Sequence, residues 1–267
     1  MAACLPRGGN VLRSLGWYRD LSKSKGRREQ GFFLVEGMRA TLQVMSQHPE
    51  AIEEVLIDDN IVETARFGGG KLRRLTSAQL KSISSSAAPS GIIALVRIPD
   101  DVYVSSLPAN AGKRVIVLED VQDPGNIGTL IRSAAAFDCD GVLMSRQCAD
   151  PFSPKAVQAS AGAVMVPWIR RCNSFIEAID ELKRTGFSLY CADVRGEPFM
   201  DFGSADRAAF VFGNEGAGVS SQVAAMADRT FSVPMNSGAI ESLNVAICGA
   251  ITMFFAYTRC NPNHDSV

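Results

Sequence analysis

The feature that most limits how this chain can fold is Val115-Ile116-Val117-Leu118, an unbroken apolar run that stops at Glu119-Asp120 before the turn-forming Pro124-Gly125. A strand with one wet face alternates apolar and polar side chains. A continuous run fits a strand buried on both faces, as in a parallel sheet covered by helices. The residues beyond keep that rhythm: Ile127 to Phe137 reads as a helix, and Val142-Leu143-Met144, Phe187 to Ala192 and Phe210-Val211-Phe212 as further strands. Helices are predicted near Ser174 to Arg184 and Ser220 to Ala227, and Leu243 to Tyr257 reads as a long apolar helix. Such alternation calls for an α/β fold with a mostly parallel sheet. Ligands in these sheets bind beyond the carboxyl ends of the strands, where the unusual loops of this sequence fall.

The N-terminal part is built from shorter pieces. Val11 to Lys23 and Met38 to Ser46 read as helices, Phe32 to Val35 and Val55 to Ile57 as strands. A segment near Leu72 to Leu75, a helix from Ser77 and the strand Ile92 to Val96 follow, with Ser84 to Gly91 a loop by composition. The expected division is a small α/β domain over residues 1–98, a linker over 99–112 with Pro108 inside it, and a second domain over 113–267.

Charge divides along the same line. Residues 1–98 carry 14 Lys/Arg against 9 Asp/Glu, or +5, whereas 99–267 carry 13 against 19, or −6. Lys23, Lys25, Arg27 and Arg28 supply much of the early excess, which fits either a polyanion-facing surface or a solvated helix face. Trp17, Tyr18, Phe32 and Phe33 lie among them as stacking candidates, with core packing the favoured use of the two phenylalanines. Seven cysteines without a C-x-x-C pair exclude a zinc site of the usual spacing and point to reduced thiols in a cytoplasmic protein. The opening residues lack the apolar centre of a secretory signal, while Arg7 and Arg13 keep a short organellar presequence as an alternative. His48 and His264 read as surface residues, and Cys248 as a small core residue.

Three loops carry the chemistry. The first, Glu119 to Gly128, places Asn126 where a helix would be capped and leads into Arg132, six residues on and expected on a similar side of the element. An arginine in the apolar setting of Leu130-Ile131 and Ala134-Ala135 needs an anionic partner or an open cleft. The second, Gly213-Asn214-Glu215-Gly216-Ala217-Gly218, allows close backbone approach. Its order is neither the dinucleotide G-x-G-x-x-G nor a phosphate-cradling P-loop, and Glu215 would repel phosphate. The third runs from Val233 to Ala246, with Ser242 and Asn244 at the entrance of the last helix and Ser242 a good N-cap.

In this order and spacing the loops resemble the motifs of the SpoU-type (TrmH-like) RNA ribose methyltransferases of the SPOUT superfamily, over about residues 113–259. Gly26-Arg27-Arg28 and Phe33-Leu34-Val35-Glu36-Gly37 are similar to the small RNA-binding domain that often precedes that catalytic domain. The resemblance implies a deep trefoil knot, a homodimer whose subunits complete each other's sites, and S-adenosylmethionine bound by Gly213, Glu215, Gly216, Val233, Met235, Leu243, Asn244 and Ala246. Backbone groups at Val233, Met235 and Leu243 would hold the adenine. It implies catalytic roles for Asn126, Arg132, Glu215, Ser242 and Asn244, RNA contacts at Lys23, Lys25, Arg27, Arg28 and Arg132, and no metal. The expected reaction is 2′-O-ribose methylation of structured RNA, ribosomal RNA before transfer RNA. Arg132 would bind phosphate and steady the forming alkoxide, with Glu215 or water taking the proton. A non-catalytic RNA-binding protein of this fold and a nucleotide-dependent dehydrogenase are the rival classes. The intact Arg132 and glycine loop oppose the first, and Pro124-Gly125-Asn126 after the first strand opposes the second.

Overall fold

The computed structural model describes residues 13–62, 67, 72–86, 88–199 and 205–260. The presequence alternative, the first residues of the Val11–Lys23 helix and His264 lie outside them. In the N-terminal half, α1 (Leu15–Asp20), α2 (Ser24–Gln30), β1 (Phe32–Glu36), α3 (Met38–Gln47), β2 (Ile52–Asp58), β3 (Leu72–Leu75), α4 (Ser77–Ile83) and β4 (Ile92–Arg97) follow in order. The sheet order is β1-β4-β2-β3, with β4 antiparallel to both neighbours and β2 parallel to β3. One face packs Phe33, Val35, Val55 and Ala94 toward the C-terminal half, and the other packs Leu56, Leu95 and Phe32 under Tyr18 and Leu80.

The helix expected to run to Lys23 ends at Asp20, and a second short helix, not expected, follows from Ser24. Arg27 explains the break: its Nη1 donates to the carbonyls of Leu21 and Ser22 at 2.7 and 2.9 Å, satisfying the groups that a continuing helix would have used.

The C-terminal half contains β5 (Arg114–Leu118), α5 (Pro124–Ala136), β6 (Gly141–Ser145), α6 (Pro154–Ser160), β7 (Trp168–Cys172), α7 (Phe175–Arg184), β8 (Ser188–Pro198), β9 (Ala208–Phe212), α8 (Ser221–Ala224), β10 (Arg229–Ser232) and α9 (Val245–Cys260). Its six strands are all parallel, in the order β10-β8-β9-β5-β6-β7. The apolar run of β5 is buried on both faces: Ile116 and Leu118 meet α5, while Val115 and Val117 meet α7. Gly128 lets α5 lie close on α6, because a Cβ there would stand 2.2 Å from the carbonyl oxygen of Ala156. No described helix is long and apolar enough to cross a membrane.

The halves are joined over a packed seam. Phe33 lies 4.9 Å from Phe152 between ring centroids, and Arg27 donates to Asp150 at 2.6 Å with both side chains at least nine-tenths buried. The connecting segment packs too: Val102 accepts from the Arg171 backbone N–H at 2.7 Å, and Asp101 pairs with Arg170 at 2.7 Å.

Candidate active site

β5 and β9 are adjacent and parallel, so the loops that follow them leave the sheet side by side. The first loop turns through Asp120, whose φ of +54° is left-handed and unusual for a residue with a side chain. Three contacts hold it there. Its backbone N–H donates to Ser145 Oγ at 2.9 Å, that hydroxyl donates to its carboxylate at 2.6 Å, and its carbonyl accepts from Asn214 at 2.9 Å. α5 then begins at Pro124 with Asp123 as its cap, accepting from the Gly125 N–H. The expectation that Asn126 caps this helix is therefore corrected. Asn126 is the third helical residue, and its amide is free to point at the other loops.

The second loop closes on itself. Asn214 and Gly218 form a short antiparallel bridge, while Asn214 Oδ1 accepts from the backbone N–H groups of Gly216 and Ala217. A Cβ at Gly213 would come within 2.2 Å of the Gly218 backbone, and Gly218 has φ of +71°, so both glycines serve the crossing of the loop. Ser220 donates to Glu119 at 2.6 Å and ties the loop back to the end of β5.

Glu215 stands at the tip. Its carboxylate accepts from the backbone N–H groups of Gln122 and Asp123 at 3.1 and 3.2 Å and from Asn126 Nδ2 at 2.9 Å. Burial pulls its pKa upward, but these donors outweigh that pull and hold the group below its ordinary range.

The third loop joins through Asn244, which donates to Asn126 Oδ1 at 3.1 Å and caps α9 by accepting from Ala246 and Ile247. The cap is thus Asn244. Ser242, expected in that role, is exposed and makes no hydrogen bond among the described residues. A chain of side chains, Glu215–Asn126–Asn244, therefore links all three loops. Val233, Met235 and Leu243 are half-buried, Ala246 is buried and Gly216 is exposed. Val233 lines an apolar cavity of about 320 Å³ with Phe199, Pro234, Ile251 and Phe255.

Arg132 does not join that cluster. It is exposed on α5 with no hydrogen bond or ion pair among the described residues. Six residues at about 100° each leave it roughly 120° around the helix from Asn126, so the two do not share a side.

The RNA-facing expectations divide. Lys23 and Lys25 are exposed and pair with Asp20 and Glu29 at 3.1 and 3.7 Å, and Arg28 is exposed without a hydrogen bond or ion pair from its side chain among the described residues. Arg27 is a correction: buried against Asp150 and two carbonyls, it holds the seam and presents nothing to RNA. Tyr18 and Phe33 are fully buried and Phe32 nearly so, which leaves Trp17 alone of the four with part of its ring outside. His48 pairs with Glu50 at the surface, and burial pushes the Cys248 thiol up to about 11.

Sequence reasoning missed the residues that hold the loops: Asp120, Ser145, Asn214 and Lys155, which pairs with the cap Asp123 at 2.9 Å. For the first three the signal lay in small polar residues at strand ends, easily taken for ordinary turn formers, while Lys155, in the first turn of α6, carries no local signal.

The model of the SpoU rRNA Methylase family matches residues 113–254, a span that contains all three loops. The chain is 28% identical over 240 residues to the 23S rRNA (guanosine(2553)-2'-O)-methyltransferase RlmP of Bacillus subtilis (strain 168), covering 89% of this chain and 93% of that one. It is also 28% identical over 255 residues to the 23S rRNA (uridine(2479)-2'-O)-methyltransferase of Streptomyces viridochromogenes, covering 90% and 87%. Among solved structures, the AdoMet-bound rRNA methyltransferase of Sinorhizobium meliloti superposes with a TM-score of 0.78 at 25% identity, over 92% of this chain and 94% of that one.

Proposed function

The chain belongs to the SpoU rRNA methylase family and is an S-adenosylmethionine-dependent RNA 2′-O-ribose methyltransferase; we propose that its substrate is a nucleotide of ribosomal RNA. The observation that carries this reading is the Glu215–Asn126–Asn244 chain, which gathers three loops of one motif set around a single rim. Support for the ribosomal target comes from two relatives that match along nearly their whole length and act on 23S rRNA.

The donor set suits the cofactor. An apolar cavity beside Val233 fits an uncharged ring, and an ionised carboxylate at Glu215 suits a cationic group. Val233, Met235, Leu243 and Ala246 would hold the adenosyl part, with Gly213, Glu215, Gly216 and Asn244 closing around it. When bound, S-adenosylmethionine supplies an electrophilic methyl group on a positively charged sulfur.

Arg132 binds the phosphate beside the target ribose and stabilises the alkoxide that forms as the hydroxyl loses its proton. A guanidinium stays protonated throughout, so it is not the base. Glu215 is also a poor proton acceptor, since three donors already stabilise its ionised form and its pKa is depressed. The proton passes to water, and Glu215 orients the loops. Ser242, free at the rim, hydrogen-bonds the ribose.

Because Arg132 lies roughly 120° around α5 from Asn126 and makes no hydrogen bond or ion pair with the cluster, Arg132 of one protomer completes the site of another in a homodimer. The stripe of Ile247, Ile251 and Phe254 along α9 suits that contact: Ile247 and Phe254 are about half exposed, and the helix packs on α5 through Phe137. The trefoil threading belongs to the same proposal, as does residence in the cytoplasm, where the thiols stay reduced.

The test is to incubate the purified protein with labelled donor and, in separate reactions, ribosomal RNA and transfer RNA from a strain lacking its gene. One ribose methyl restored at one nucleotide is expected. Labelling of transfer RNA instead, or of neither, removes the ribosomal assignment.

A further inference from the structure

The loop after β6, residues 146–150, touches two places at once. It meets the first catalytic loop through Gln122 Nε2 to the Gln147 carbonyl at 2.9 Å and through the Ala149 N–H to the Val121 carbonyl at 2.9 Å. It meets the N-terminal half through Asp150 and Arg27. Whatever lies on this loop therefore lies between the reaction rim and the basic half of the molecule.

Its surface has an unusual makeup. Arg146 is exposed and has no ion pair or hydrogen bond from its side chain among the described residues, and Arg28 across the seam is the same. Arg171, from the end of β7, braces the loop from below by donating to the carbonyls of Arg146 and Cys148 at 2.7 and 2.6 Å. The Arg171 backbone N–H bonds to Val102, which brings the next residue, Tyr103, to the same place, 39% exposed as a residue. Burial pushes the Tyr103 phenol up, Asp150 adds to that, and Arg171, Arg27 and Arg28 oppose it, so all four charges act on one ring. The acids of these segments are largely spent: Asp150 is held by Arg27 and Asp101 by Arg170, while Asp100 lines a separate cavity with His48 and Trp168. A free guanidinium, Arg28, acts on an exposed aromatic ring, and a second, Arg146, lies on the loop that Arg171 braces. This matches the chemistry of an RNA strand, whose phosphates need cations and whose unpaired bases need a flat surface.

We infer that this seam is a second RNA-contact site, in which Tyr103 stacks on an unpaired base next to the target and Arg28 and Arg146 hold the phosphates on either side of it. The inference rests on the ribosomal RNA reading above and extends it, naming a single-stranded or bulged segment as what the enzyme grips beside the methylated ribose.

The experiment measures binding of the full-length protein to a large-subunit ribosomal RNA transcript and to a labelled U20 oligonucleotide over a series of KCl concentrations. Tyr103→Ala is expected to weaken binding to both about tenfold, whereas Tyr103→Phe, which keeps the ring, stays at the parental affinity. Replacing Arg28 and Arg146 together by Ala should lower the slope of log affinity against log salt by about 1.4, near 0.7 for each lost single-strand phosphate contact. Calorimetric binding of S-adenosylmethionine, unchanged in every variant, shows that the fold and the cofactor site survive. Seam variants that match the parent in affinity and slope overturn this inference alone. A parent protein that binds the cofactor but neither RNA overturns the proposed substrate as well.

Discussion

The two sheets of this molecule differ in how they spend their loops. In the C-terminal sheet all strands run one way, so every carboxyl end opens on one edge and the chain must cross back to the opposite edge before each new strand. Loops far apart in sequence, from Glu119 to Asn244, are brought side by side with no further device. The N-terminal sheet is mixed, with β4 antiparallel to β1 and β2, so its loops divide between two ends. That half offers charge and packing, and no rim. Strand direction decides which half can react, and composition decides which half can grip a polyanion.

The comparison can be tested at descending scale. The largest effect is expected where the halves meet: Arg27→Ala leaves Asp150 buried and unpaired and should lower unfolding stability by about 3–5 kcal/mol in urea titration. Arg27→Met with Asp150→Leu should restore most of it. Similar loss in the double variant would mean that the pair does more than bury its charges. Next, Arg132→Ala should reduce kcat by about 10²–10³-fold with cofactor affinity unchanged, and an undiminished turnover would move the chemistry off this rim. Asn126→Ala removes the middle of the side-chain chain and should cost about 1–3 kcal/mol, read as a lower melting temperature and weaker cofactor binding.

Smaller still is the pH effect. The Glu215 pKa is lowered in the native protein, so its stabilisation is present above the ordinary value of 4.5 and is lost as pH falls through the depressed native one. An ionised Glu215 gives no limb above about pH 6 whether or not it is the base. The rate must therefore be followed below about pH 5, where no limb due to Glu215 is expected if water accepts the proton. A limb that disappears in Glu215→Gln would restore Glu215 as the base. Finally, burial pushes the thiols of Cys172, Cys191 and Cys248 up to about 11, so peptide mapping after iodoacetamide at pH 8 should find them unmodified in the folded protein.

Much of this architecture was legible in the sequence because the parallel sheet writes its own signature. Runs such as Val115 to Leu118 and Phe210 to Phe212 have no polar interruption, and each sits where a strand was expected. Helix α7 was legible for the same reason, its apolar positions recurring at helical spacing. β7 was not. Trp168-Ile169-Arg170-Arg171-Cys172 carries two arginines whose partners, Asp101 and the carbonyls of Arg146 and Cys148, lie 69 and about 25 residues away. No local pattern announces that those charges are satisfied. The caps were misplaced because Asp123 and Asn126, like Ser242 and Asn244, are neighbouring candidates of equal propensity, and only the tertiary partner of each amide separates them. Arg27 was hidden in the same way, since a run of basic residues reads identically whether one member faces water or a buried carboxylate.

The shielding of Arg27 and Asp150 has a consequence for handling the enzyme. Mobile ions weaken attractions that cross water and scarcely reach those sealed inside protein. Raising ionic strength should therefore strip nucleic acid from the exposed arginines while the seam between the halves stays packed. The protein can be washed clean of bound polyanion and still keep the alignment that its next substrate will meet.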